Sequence, residues 1–286
     1  MKSKKRCVIF AHYSKFNIID NYVIEYLKGL KLIANEIIFV SDANLAVEQI
    51  NKITPFVSKV LAKRHGEYDF GSYKRGFNEI SASDYDEVIF CNDSSYAPLF
   101  PFEEMFLTME KRELDFWGIT QNNFGYIKIK NKYEYKNEIP HIQSFFFVIT
   151  KKVAESLEFN QFIQTIEAEA TKEEIIIKYE QGLSETLKNF ISDTYIPLSK
   201  IVEDQTVAQW KEIIINQRCP LLKIRTINLQ ALRYSQVKKV LDKAGSNYPS
   251  DLIKAHLKES RTFKQKIKCL PGVALLILIK RKVIKR

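Results

Sequence analysis

Short apolar runs alternate with amphipathic stretches through the first half of the chain. Residues 6–11 (RCVIFA), 36–40 (EIIFV), 57–63 (VSKVLAK) and 87–91 (EVIFC) are runs closed by polar clusters, the pattern of strands buried on both faces. Residues 17–30 carry apolar side chains at 18, 19, 22, 23, 26, 27 and 30, the stripe of an amphipathic helix with Asn17 or Asp20 as its cap. Residues 45–53 predict a short helix, and 70–80 another despite Gly71 and Gly76. Further on, 102–110 predicts a helix, and 115–120 (DFWGIT) and 143–150 (QSFFFVIT) predict strands. Helices follow at 152–159, 173–179 and 183–190, the last two separated at Gly182. This order predicts an α/β fold: a mostly parallel sheet with helices on both faces. From about residue 201 the pattern turns helical, over 202–216, 235–244 and 249–259. The expected organisation is a main domain over 1–225, a helical extension of it over 226–260, and a tail over 261–286.

In such sheets ligands bind beyond the carboxyl ends of the strands. Polar residues gather there after four separate runs: His12 and Ser14, Asp42, residues 64–69, and Asn92-Asp93-Ser94. One shared cleft is the simplest reading. Neither GxGxxG nor GxxxxGK[ST] occurs, which disfavours the ordinary dinucleotide fold and the P-loop.

Candidate chemistry follows from those ends. Asp93 can hold a divalent cation, Mg²⁺ or Mn²⁺, because such ions need only one or two protein carboxylates and can carry a diphosphate; the same residues also simply turn a chain. Arg64 can form paired hydrogen bonds with a phosphate, Lys74 adds charge, and Asp69 can accept from sugar hydroxyls. The alternative is a solvated loop with Arg64 paired to Glu67 or Asp69. Glu180, beside Gly182, is a candidate general base or an exposed cap. His12 occupies a strand end, and His141 precedes a strand, where a structural role is the alternative. Tyr96 and Trp117 can stack on sugar faces, or Trp117 can belong to the core.

Charge changes the picture less than its total implies. The formal net charge is +10, but residues 257–286 hold ten Lys/Arg against one acid. The near-neutral remainder argues against a nucleic-acid partner, which needs a basic stripe on the folded surface. Within the tail, residues 269–279 (CLPGVALLILI) form an apolar patch between cationic clusters, too short to span a bilayer but suited to an anionic membrane surface. The alternative is a last helix packed on the body. Four widely spaced cysteines without a CxxC pair suit a reducing compartment.

Eight segments in order resemble the rhamnan synthesis F family of bacterial polysaccharide glycosyltransferases: FAHYS (10–14), KRHGEYDFGSYKRGF (63–77), FCNDSSYAPLFP (90–101), DFWGIT (115–120), HIQSFFFVITKK (141–152), YEQGLSETL (179–187), CPLLK (219–223) and YPSDLIKAHL (248–257). The resemblance covers roughly residues 6–258. It implies a GT-A-like, Rossmann-type catalytic domain that transfers a sugar from a nucleotide donor, often dTDP-rhamnose, to a glycan or lipid-linked acceptor. Under it, Asn92-Asp93-Ser94 stands where many GT-A enzymes carry a metal-binding Asp-x-Asp, with Asn92 replacing the first Asp. Residues 64–74 resemble a stretch near the sugar nucleotide, His65 standing where the family often has Asn. Glu180 matches, by chain order, the acidic base of inverting enzymes. His12, Ser14, Asp42, Arg64, Asp69, Lys74, Asn92 and Ser94 are then donor-binding residues. Tyr96, Trp117 and His141 are sugar or acceptor residues, and Asp93 is catalytic with Glu180. The implied setting is cytoplasmic, peripheral at the inner face of the plasma membrane. A catalytically silent sugar-nucleotide or glycan-binding scaffold is the alternative.

Overall fold

The computed structural model describes residues 4–130, 132–198 and 204–260. The four apolar runs become strands β1 (Arg6–His12), β2 (Glu36–Ser41), β3 (Lys59–Ala62) and β4 (Glu87–Asn92). Between them lie helices α1 (Asn21–Lys31), α2 (Val47–Asn51) and α3 (Tyr68–Phe77). A two-residue strand β5 (Ser95–Tyr96) and helix α4 (Phe102–Met109) come next. They are followed by β6 (Phe116–Gly118), β7 (Gln121–Ile129), β8 (Lys132–Ile142), β9 (Phe146–Thr150), β10 (Ser192–Thr194) and β11 (Leu222–Lys223).

The main sheet has the order β10-β6-β9-β4-β1-β2-β3. Strands β4, β1, β2 and β3 are parallel, and β9 runs antiparallel between β4 and β6. Chain order reverses at β1, which lies between β2 and β4, so a topological switch point separates the carboxyl ends of β1 and β4.

Alternation along β1 sends Val8 and Phe10 to one face, and Ile9 and Ala11 to the other. The first face packs on α1, α4 and the later helices, through Tyr26, Phe102, Trp210, Val237 and Ile253. The helices of 226–260 thus share the core of the sheet. The second face packs on α3 and the helices between 157 and 187, through Tyr73, Phe77, Phe159 and Leu183. Gly76 lets α3 lie close to the sheet: a Cβ there would fall 2.4 Å from Ile9 Cγ2. Cys7, Cys91 and Cys219 are free and buried. Among the described residues no helix is long and apolar enough to cross a membrane.

Three features depart from the sequence expectation. Residues 121–142 form a β7–β8 hairpin, inserted between β6 and β9 and paired only with itself. Gly182 does not break a helix; Lys172–Ile175, a π-turn at Ile176–Gln181 and Gly182–Thr186 follow without interruption. Asn17 does not cap α1 but sits at φ 54°, and Asp20 occupies the cap position without a side-chain bond. The tail and its membrane role lie outside the described residues.

Candidate active site

Strand geometry brings the polar ends together. After β4 the chain turns at Asn92-Asp93-Ser94: Asn92 Oδ1 accepts from the Ser94 N–H at 3.2 Å and from its hydroxyl at 2.6 Å. The Asn92 amide donates to Asp69 Oδ2 at 2.7 Å. This tie joins the β4 end to the first turn of α3. Across the switch point, Asp93 Oδ2 accepts the Tyr13 N–H at 3.0 Å, and the Asp93 carbonyl accepts the Tyr22 hydroxyl.

His12 lies beneath this turn at 2% exposure, 2.8 Å from Ser41 Oγ through Nδ1 and 3.8 Å from Asp93 Oδ2 through Nε2. Burial pushes its imidazole down to about 4, so it is neutral at pH 7. Burial pushes the Asp93 carboxyl up to about 8; the Tyr13 N–H opposes the rise, and the charges of Asp69 and Asp20 add to it. Asp69 rises to about 6, again mainly by burial, with the Asn92 amide opposing and Glu180 and Asp42 adding. Asp42, Asp69, Asp93 and Glu180 therefore share one electrostatic neighbourhood.

Glu180 lies in the π-turn, a widening that often marks functional positions. Its Oε1 accepts from the Ser144 N–H at 2.9 Å and from the Ser144 hydroxyl at 3.0 Å. The Ser144 carbonyl accepts from Tyr73, and the next residue, Phe145, accepts the Asn92 N–H. The link from the proposed base to the β4 turn is thus a two-residue stretch of chain.

Arg64 stands on the rim. Its guanidinium donates to the Ser14 carbonyl at 3.4 Å and to Asn17 Oδ1 at 3.2 Å, and lies 5.7 Å from the Tyr13 ring centre. It pairs with neither Glu67 nor Asp69; Glu67 instead binds Arg75 through two hydrogen bonds. Asp42 Oδ1 accepts from the N–H groups of His65 and Gly66, holding this loop to the end of β2. Ser14 Oγ accepts from the N–H groups of Phe16 and Ile18, shaping the loop after β1.

Four expected site residues are placed otherwise. Trp117 is 3% exposed and packs edge-on to Phe106 and against Phe146, because alternation on β6 turns it into the core. Tyr96 is fully buried, and its hydroxyl meets His256 Nδ1 at 2.7 Å. His141 is buried in the hairpin, its Nδ1 donating to the Ile139 carbonyl. The Lys74 ammonium donates to the carbonyls of Gln164 and Ile166, tying α3 to a neighbouring helix end. None of the four offers its polar group or ring to the cleft.

A divalent cation can be tested against these donors. Among the described residues no three His, Cys, Asp or Glu side chains gather to hold a metal. A protein-only cage is therefore not built. Asp93, raised toward protonation mainly by burial and further by the charge of Asp69, fits an ion that keeps most of its water and shares the oxygens of a diphosphate.

Tyr13 belongs to the polar cluster His12-Tyr13-Ser14 that the sequence marks after β1, whereas the sequence pattern assigned no role to Tyr22, Ser144 or Lys223. Ser144 and Lys223 lie inside segments already singled out, QSFFFVIT and CPLLK, but their partners are remote in the chain. Two depressions, of about 740 and 540 Å³, lie elsewhere on the described surface and are lined by none of the site residues named above.

The fold is an open α/β sheet with polar side chains gathered at its switch point. The chain belongs to the rhamnan synthesis protein F family, whose model matches residues 37–286. No curated protein matches it. Among solved structures it is similar to a putative nucleotide-diphospho-sugar transferase from Desulfovibrio desulfuricans G20, at 11% identity, covering 88% of this chain and 95% of that one, with a TM-score of 0.44. It is also similar to S. aureus TarS 1-349 in complex with UDP, at 11% identity, 93% and 76% coverage and a TM-score of 0.42. A third is core-mannan synthase A from Aspergillus fumigatus in its Mn/GDP form, at 8% identity, 65% and 70% coverage and a TM-score of 0.40.

Proposed function

We propose that the chain is a glycosyltransferase that moves a sugar, rhamnose or a related deoxyhexose, from a nucleoside-diphosphate donor to a growing polysaccharide or a lipid-linked glycan. Family membership supports polysaccharide synthesis. The observation that carries the chemistry is the pairing of Glu180 with Ser144 beside the Asp69–Asn92–Asp93 cluster at the switch point.

In this reading the acceptor hydroxyl attacks the anomeric carbon as the bond to the diphosphate breaks. Glu180 takes the hydroxyl proton, and the electron pair of the broken bond leaves on the diphosphate. Ser144 aims the carboxylate: with Oε1 occupied by two donors, the other oxygen is left for the acceptor. Asp69 accepts from donor hydroxyls. Asp93 would hold a divalent cation, whose chemistry is to neutralise charge on the leaving group. The basic and apolar tail is proposed to keep the enzyme on the membrane surface where a lipid-linked acceptor lies.

Glu180→Gln keeps an oxygen for Ser144 and removes the base. Transfer from a labelled nucleotide sugar should fall by ~10²–10⁴-fold while donor binding persists. Wild-type turnover in that variant would remove Glu180 from the mechanism.

A further inference from the structure

Beyond Arg64, whose guanidinium is occupied by the loop after β1, a second cation stands at the cleft. Strand β11 pairs antiparallel with β5, setting Lys223 opposite Ser95. The next N–H, of Ile224, donates to the Ser94 carbonyl at 2.9 Å. The Lys223 main chain is thereby fixed against the residues that follow Asp93. Its ammonium lies 4.0 Å from the centre of the Phe145 ring, on the stretch that carries Ser144. Among the described residues no carboxylate lies within 4.0 Å of it.

Burial holds this ammonium below the usual lysine range, and the charges of Arg225 and Lys172 lower it further; Asp204 and Glu180 oppose the shift. A partly buried cation that sits on an aromatic face and lacks an ion pair among the described residues favours the arrival of an anion. Lys172 and Arg225 add positive potential at the same place. Lys223 thus sits beside the residues that follow Asp93 and on the ring next to Ser144, within reach of the same stretch of chain as the acids after β4.

We infer that Lys223 is the protein's own counter-charge for the diphosphate of the nucleotide donor, seated on Phe145 between the β4 turn and Glu180. The inference rests on the glycosyltransferase reading for the ligand's identity. It gives the leaving group a fixed cation in addition to any ion at Asp93.

Calorimetric titration of the full chain with dTDP, UDP, GDP and inorganic pyrophosphate, all in EDTA, isolates that contribution. The wild type should bind at least one of the diphosphates. Lys223→Gln should weaken it about ten- to a hundredfold, as for loss of a charged hydrogen bond. Lys223→Arg should restore most of the affinity. Matching melting temperatures for the three proteins would show that the change lies in the cleft. Equal affinity of Lys223→Gln and wild type, or no diphosphate binding by the wild type in EDTA, would overturn the inference. Pyrophosphate binding that depends on Lys223, without binding of any nucleotide, would keep the cation site and count against the nucleotide-sugar reading.

Discussion

Asp93 shows how position alters a residue's chemistry. An aspartate on an open turn ionises near 3.8, whereas burial beneath the switch point raises Asp93 to about 8. A raised folded-state value means that the native protein binds the proton more tightly than the unfolded chain does. This contribution to stability is complete below about 4 and is lost as pH rises through about 8. The melting temperature of the wild type should therefore fall over that window more than that of Asp93→Asn, which lacks the titrating group. Parallel melting curves from pH 5 to pH 8.5 would show that Asp93 titrates normally. At the same scale, Tyr96 and Trp117 show why an aromatic near a polar motif is not a stacking platform. Both lie on strands, and the alternation of side chains, invisible in such short runs, turns them inward.

Elements of secondary structure bring in what the apolar pattern did not encode. The β7–β8 hairpin is largely exposed; its alternation, IKIK over 127–130 and YEYK over 133–136, is a strand signal, but it forms no continuous apolar run of the kind that marked the buried strands. It is held to the π-turn by Gln181, whose side chain accepts from the Tyr126 N–H at 2.7 Å and donates to the Tyr126 carbonyl at 2.9 Å. Gly125 makes the approach feasible, since a Cβ there would lie 2.6 Å from Gln181 Oε1. Glu180 is the residue before this clamp. Gln181→Ala should cost about 1–3 kcal/mol for two lost hydrogen bonds with backbone partners left unpaired, read by denaturant unfolding. It should also reduce turnover more than donor affinity if Glu180 is the base, as proposed, because its orientation would be lost. A turnover equal to wild type would separate the hairpin from catalysis.

At the scale of the whole molecule, the C-terminal helices are part of the body. Ile253 and Leu257 of the helix Asp251–Ser260 enter the core shared with β1 and α1, and His256 of the same helix meets Tyr96. The cationic and apolar tail follows this helix in the sequence. Deleting residues 264–286 should leave the melting temperature within about 2 °C, the scale of a change near 0.5 kcal/mol in a chain of this size. It should also move the protein from the membrane fraction to the soluble one. If the truncated chain still sediments with membranes, another surface anchors it.

The alternation of buried runs and amphipathic stretches determined the α/β order of the first half, because strand and helix periods are local properties of the chain. Polar residues after those runs also marked out Asp93 and Asp69, since strand ends in such a sheet share an edge. Tertiary structure alone decided that β9 enters antiparallel, that Glu180 reaches Ser144, and that the Lys223 ammonium lies on the Phe145 ring while Lys74 is taken up by the Gln164 and Ile166 carbonyls. Those outcomes depend on which segments pair across tens of residues or on which side of a helix a long side chain finds its partners, and no local pattern carries that information.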